Sequence, residues 1–246
     1  MRSKTTIDSA APAVEGTKSF MARRPAMLVW AVILLIAGVF SVLTYLIMTT
    51  SSFATDLQIT QVVQRAQSPA FAWLMQVISW PGFTPQVELL AGLMILALVG
   101  LGLRWEAVVA LSAALLSTAI NLLVKELIHR PRPASGQVNV FAALTTYSFP
   151  SGHVMFYVIF FGFFGYLALY LLKPSAVRSF LLLIPGSLIA LIGLSRIYLG
   201  EHWASDVLGA YLLGSLMLVA VVQFYQWGKA LHLLHQPHTG YGSHYD

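Results

Sequence analysis

The sequence predicts an all-α integral membrane protein: a six-transmembrane-helix bundle with an interfacial amphipathic helical loop between helices 1 and 2. Three observations carry that prediction. Hydrophobic residues fill 58% of the 246 positions and charged residues only 9%, which is too apolar for a soluble domain of this length. Six stretches approach the roughly 20 apolar residues that cross a hydrocarbon core. The basic residues divide unevenly between the two sides that this topology creates.

In chain order, residues 1–25 mix Ser, Thr, Ala and charges without apolar periodicity and read as a mobile cytoplasmic tail. No convincing small-residue cleavage site follows the first apolar run, so residues 27–48 are expected to form an uncleaved first helix. The connection over 49–86 is the longest external one. Leu57, Ile59, Val62, Val63, Phe71, Leu74, Met75 and Ile78 suggest amphipathic helices there, Trp73 and Trp80 suit a membrane interface, and Pro81-Gly82 marks a turn. Such a loop lies flat on the outer leaflet, either packing around helix ends or gating access to what lies beneath.

The second span, 88–103, is short and carries Glu88 at its edge, so residues 83–86 are needed to extend it. Residues 107–124, 154–172, 180–199 and 207–227 supply the remaining four spans. The bundle therefore occupies 26–228, and 229–246 form a histidine-containing tail. His232, His235, His238 and His244 are irregularly spaced and lack carboxylate or cysteine partners, which favours a disordered tail over a metal site.

With the N-terminus inside, Arg2, Lys4, Lys18, Arg23, Arg24, Arg104, Lys173, Arg178 and Lys229 fall on the cytoplasmic side. Arg65, Lys125, Arg130, Arg132 and Arg196 fall outside. Cations flanking spans in this way support six helices with both termini cytoplasmic. They also account for the net charge of +5 and leave no reason to invoke a nucleic-acid partner. Cysteine is absent, which excludes disulfides and thiolate chemistry.

Ionisable groups at membrane depth are costly and mark function by default. Three clusters of them stand out. The first, 125–133, reads KELIHRPRP; Pro131 and Pro133 stop the third helix near His129, which leaves Lys125 on the helix and Arg132 on an extended turn. Two cations aimed at one point suit a phosphate, although basic snorkelling at a helix end would look alike. The second cluster is Pro150, Ser151, Gly152 and His153 before the fourth helix. Ser151 is a natural N-cap, Gly152 permits close backbone approach, and free first-turn N–H groups attract anions, though an ordinary cap and turn fits equally well.

The third cluster, 195–206, contains Ser195, Arg196, His202 and Asp206. A helical turn would bring His202 and Asp206 onto one face, where the carboxylate accepts the Nδ1 proton and leaves Nε2 free to attack. The bland counterpart is an interfacial histidine beside a capping aspartate. Alternating spans, however, put all three clusters at one membrane face, which random polar decoration would not.

Together these residues resemble the type 2 phosphatidic acid phosphatases, a membrane branch of the superfamily that includes the vanadium haloperoxidases. The three-part signature is matched by Lys125 with Arg132-Pro133, by Pro150-Ser151-Gly152-His153, and by Ser195-Arg196 with His202 and Asp206. Arg130-Pro131 is a second arginine–proline pair whose distance from Lys125 fits less well, so Arg132 is preferred. The resemblance implies metal-independent two-step phosphoryl transfer in which His202 is the nucleophile, His153 protonates the departing lipid oxygen, and Asp206 orients His202. Lys125, Arg132, Ser151, Gly152 and Arg196 would bind the phosphate.

No cofactor and no metal are expected, since Asp56, Glu88, Glu126, Glu201 and Asp206 are scattered in sequence. The expected partners are the bilayer and a lipid phosphate at the extracytoplasmic face of a bacterial plasma membrane. The lipid would be an isoprenoid diphosphate such as undecaprenyl diphosphate, or a glycerolipid phosphate such as phosphatidylglycerol phosphate or phosphatidic acid. Two other readings are a transporter or flippase of lipid phosphates, whose sites normally lie near the midplane, and a haloperoxidase-like oxyanion binder without phosphatase activity. Asn121, four residues before Lys125, lies on its helical face and reads more simply as an interhelical hydrogen bond.

Overall fold

A computed structural model describes residues 12–50, 53–142 and 144–234, and among them all regular structure is helical. Helix α1 (Pro12–Thr49) begins well before the expected first span. Residues 12–25, predicted to be a loose tail, therefore continue the helix, while 1–11 lie outside the described residues. Helix α2 (Ala54–Val63) and helix α3 (Pro69–Ser79) follow, then a 3-10 turn (Trp80–Gly82) and helix α4 (Gln86–Gly100).

The expected second span is short in the structure. Helix α4 has 15 residues, about 22 Å at the helical rise, which is short of a core roughly 30 Å thick. Helix α3, in the expected surface loop, precedes it; the two are bent by 59° at the break and together are apolar enough for a broken span or a re-entrant loop. Pro81 withholds a backbone donor and Gly82 lacks a side chain, so the helix stops there.

Helix α5 (Arg104–Ile128) is followed by a long loop. Helix α6 (Gly152–Phe156), a π-helical turn (Tyr157–Phe161) and helix α7 (Gly162–Leu171) then run on as one span. Helix α8 (Ala176–Tyr198) and helix α9 (Ala204–Leu234) complete the order. Among the described residues, five helices are thus long and apolar enough to cross a membrane alone, or six if the bent pair is one span. Helix α9 extends into the predicted C-terminal tail; His232 belongs to its last turn, and His235, His238 and His244 lie outside the described residues.

The span Gly152–Leu171 is the axis of the bundle. Tyr157, Ile159, Phe160 and Phe163 on it are fully buried, whereas none of the apolar window of α1 is. Helix α9 approaches this axis closely because Gly214 lacks a Cβ, which would stand 3.1 Å from Cβ of Val158. Leu34, Leu93, Leu115 and Leu183, each more than 60% exposed, form part of an outward apolar belt that matches acyl chains. At one end, Lys229 pairs with Glu106 at 2.7 Å and the Tyr225 hydroxyl donates to the same carboxylate at 3.0 Å, which locks α9 to α5. The opposite end gathers the three polar clusters.

Candidate active site

Helix α5 ends where the sequence predicts, with His129 in the left-handed region at φ 53° followed by the two prolines. Lys125, in its last turn, is 5% exposed and donates to the Tyr147 carbonyl. Arg132 donates to the same carbonyl at 3.2 Å, to the Thr146 carbonyl at 2.6 Å and to the Glu201 carbonyl at 2.5 Å. Carbonyl oxygens, not carboxylates, hold both cations, so their positive charge is directed without being neutralised.

Arg132 also places Nη1 3.2 Å from Nε2 of His202. A guanidinium has only donors, so Nε2 is the acceptor and the ring proton belongs on Nδ1. That nitrogen faces Asp206 Oδ2 at 3.5 Å, an electrostatic contact without a hydrogen bond. The expected pairing of His202 with Asp206 is therefore present, but not through a shared helical face. His202 precedes α9, and Asp206 lies in its first turn, where Oδ2 accepts from the Trp203 N–H at 2.9 Å; this is half of a capping box. Burial holds the His202 pKa well below the ordinary histidine value, Arg132, Arg196 and Lys125 lower it further, and the Ser148 backbone opposes them weakly. The imidazole is thus neutral at physiological pH, with a lone pair on Nε2.

Ser151 stands at the N-cap position but makes no capping bond, against expectation. Its backbone N–H donates to the Asp206 carbonyl at 3.3 Å, and its Oγ is buried without a partner. Beside it, Gly152 packs on Asn121, whose Oδ1 would be 3.1 Å from an added Cβ. Asn121 donates to the Pro150 carbonyl at 3.0 Å, so the residue read as an interhelical bond is what fastens the Pro-Ser-Gly turn to α5.

His153 meets the bend of the broken span. An alanine Cβ at Gly82 would lie 2.2 Å from Cδ2 and 2.8 Å from Nε2 of His153. Phe83 stands edge-on to the same ring at 4.7 Å and beneath the Arg196 guanidinium at 5.2 Å. Gly82→Ala is therefore expected to displace His153 and reduce turnover by about 100-fold, the usual cost of a misplacement of this size, with the thermal midpoint and detergent elution profile of a folded protein.

Arg196, expected to bind phosphate, is fully buried. It forms an ion pair with Glu201 and donates to Ser79 Oγ at 2.9 Å. Among the described residues, five buried side-chain nitrogens or oxygens lack a partner: Ser151 Oγ, His153 Nε2, Arg196 Nε, His202 Nδ1 and the distant Thr44 Oγ1. All but the last belong to residues predicted for the site. Such unsatisfied groups are costly and rare, and most of these suit an oxyanion.

Sequence reasoning missed other contributors. Arg130, set aside in favour of Arg132, is buried behind Asp206 with Nη1 2.5 Å from Oδ1. Asp56, Ser205, Ser79, Glu201 and Phe83 carry no local signal; the only available cue was that Asp56 and Glu201 are carboxylates within an apolar chain. A cavity of about 740 Å³ borders the site, lined by Phe53, Asp56, Leu57, Arg130, Arg132 and Trp203 among others. No group of three or more His, Asp or Glu side chains among the described residues converges as metal ligands would.

The chain is similar to several known proteins. The sequence pattern of the PAP2 superfamily matches residues 106–230. Phosphatidylglycerophosphatase B of Bacillus subtilis (strain 168) is 29% identical over 194 residues, covering 75% of this chain and 90% of that protein. The crystal structure of a transmembrane PAP2 type phosphatidylglycerolphosphate phosphatase from Bacillus subtilis superposes with a TM-score of 0.70 at 25% identity, over 79% of this chain and 96% of that one. The crystal structure of Aquifex aeolicus LpxE shares the fold, with a TM-score of 0.55 at 21% identity over 71% and 98%.

Proposed function

The chain belongs to the PAP2 superfamily, and on that premise we propose that it is a membrane lipid phosphatase whose nucleophile is His202. The observation that carries the proposal is the oriented imidazole: Nε2 accepts from Arg132 at 3.2 Å while Nδ1 faces Asp206, which is the tautomer an attacking histidine needs.

In the first step Nε2 attacks phosphorus, an N–P bond forms, and the P–O bond to the lipid breaks as His153 delivers a proton to the departing oxygen. Asp206 offsets the positive charge that develops on the His202 ring. In the second step His153 takes a proton from water, the water oxygen attacks phosphorus, and the N–P bond breaks to release phosphate and neutral His202. Lys125, Arg132, Arg196 and the Ser151 hydroxyl, with the N–H groups at Gly152, hold the equatorial oxygens in both steps. These cations supply the charge that magnesium supplies in other phosphoryl-transfer sites. Turnover is accordingly expected to persist in excess EDTA and to be inhibited by vanadate, which resembles the five-coordinate state; a complete loss that magnesium restores would overturn the metal-free scheme.

The substrate we assign is a phosphorylated glycerolipid of the phosphatidylglycerol phosphate type, because the 29% identical relative carries that activity in its name. Six spans with both termini cytoplasmic put the site at the extracytoplasmic face of a bacterial plasma membrane, as the distribution of lysine and arginine favours. The Pro81-Gly82 bend and α2 lie on the side of the site, where the 740 Å³ cavity offers a lipid headgroup access to Arg132. Phosphate release from phosphatidylglycerol phosphate, phosphatidic acid and undecaprenyl diphosphate in detergent tests the assignment, with His202→Ala as control. Preference for the isoprenoid diphosphate would overturn the lipid assignment, and release from none of the three would overturn the function.

A further inference from the structure

Helix α2 is separated in sequence from every motif of the site, yet Asp56 on it is 3% exposed and uses both carboxylate oxygens. Oδ1 accepts from the backbone N–H of Ser205 at 2.9 Å; Oδ2 accepts from the Ser205 hydroxyl at 2.5 Å and from Arg130 Nη2 at 2.7 Å. The other guanidinium nitrogen of Arg130, Nη1, donates to Ser205 Oγ at 2.8 Å and to Asp206 Oδ1 at 2.5 Å. Phe53, one turn before Asp56, lies against the guanidinium at 5.5 Å.

We propose that Asp56 and Arg130 are positioning residues for the proposed reaction, tying helix α2 to the carboxylate that faces the nucleophile. The inference rests on the reading of His202 as nucleophile. Three physical points support it. Asp206 spends Oδ1 on Arg130 and Oδ2 on the Trp203 N–H and His202, so its orientation toward the ring depends on where Arg130 is held. Arg130 is shared by two carboxylates, so the trio keeps one net negative charge beside His202. With Asp56 neutralised, Arg130 would pair with Asp206 alone and cancel the charge that stabilises the imidazolium. Finally, Asp56 and Phe53 line the 740 Å³ cavity, so the wall a lipid headgroup would touch is bonded directly to the dyad.

Arg130 touches neither His202 nor a group predicted to bind phosphate, which separates its role from that of Arg132. Asp56→Asn keeps the shape and removes the charge. It is expected to lower kcat about 10- to 100-fold, the usual effect of losing a residue that orients a reacting group, with KM changed less than about threefold. Arg130→Lys keeps the charge but not the two-ended fork and is expected to do the same. The double variant is expected to be little worse than either single one, because both break one chain of bonds.

Ser205→Ala removes a hydroxyl without stranding a charge, and a smaller fall in kcat of about 3- to 10-fold is expected from it. It keeps the proposal testable if the charge variants do not fold. The rates are measured per folded molecule in detergent, with thermal unfolding recorded on each variant. Wild-type kcat in folded Asp56→Asn, Arg130→Lys or Ser205→Ala, additive losses in the double variant, or a loss confined to KM would overturn the proposal while leaving the nucleophile standing. An active His202→Ala protein would overturn both.

Discussion

His202→Ala is expected to reduce lipid phosphate turnover to background, a fall of about 10⁴-fold or more, the scale on which nucleophile loss acts in covalent hydrolases. The site offers no substitute: alanine leaves Arg132, Lys125 and Arg196 to bind the phosphate, but nothing to form a bond with phosphorus. Binding should therefore outlast catalysis, with a substrate or product Kd within about tenfold of wild type. A rapid quench with radiolabelled lipid phosphate is expected to trap acid-labile, base-stable phosphoprotein in wild type and none in the variant. Appreciable turnover by His202→Ala, or label retained in it, would dismiss this residue as the nucleophile.

Arg132→Ala carries the second largest expected effect, about 10³-fold in kcat/KM, as for loss of a principal donor to a charged transition state. It has a second readout. In the proposed scheme neutral His202 attacks, and burial together with neighbouring cations holds its pKa well below the ordinary histidine value. The wild-type kcat/KM, corrected for ionisation of the substrate, should stay level through the usual histidine range and fall only at lower pH. Arg132 is the strongest charged contributor to that depression. Removing it lets the imidazolium form more readily, so the acid limb should move to higher pH. Arg132→Lys restores a charge but not the planar fork and should recover the limb more fully than the rate. A limb unchanged in Arg132→Ala would show that Arg132 does not act on the nucleophile.

How far the site was legible depends on whether each residue announces itself locally. Lys125 and the termination of α5 were readable, because prolines stop helices wherever they stand. The meeting of His202 with Asp206 was readable from four-residue spacing, although the geometry is that of a helix start rather than a helix face. Arg130 and Arg132 present the same dipeptide and cannot be separated by propensity; the structure gives Arg132 to His202 and Arg130 to the far side of Asp206. Asp56 looked like one more polar residue on a surface helix. Its role emerges only when α2 folds against the start of α9, across 149 positions of sequence to Ser205.

The bend before α4 illustrates the same limit from the apolar side. Hydropathy identified the second apolar stretch and the Pro-Gly pair identified the turn, since each is a local property. That α3 and α4 meet at 59° and that Gly82 sits against the His153 ring follow from packing.

By itself the sequence determined that the chain is a helical membrane protein and that three polar clusters belong to one end of it, because the cost of burying charge and backbone in hydrocarbon acts on every segment independently. Only the tertiary structure decided which cation faces His202, that Glu201 pairs with Arg196, and that Asp56 stands behind Asp206. Those pairings arise between segments remote in sequence, where a distance of an ångström or two separates a hydrogen bond from none.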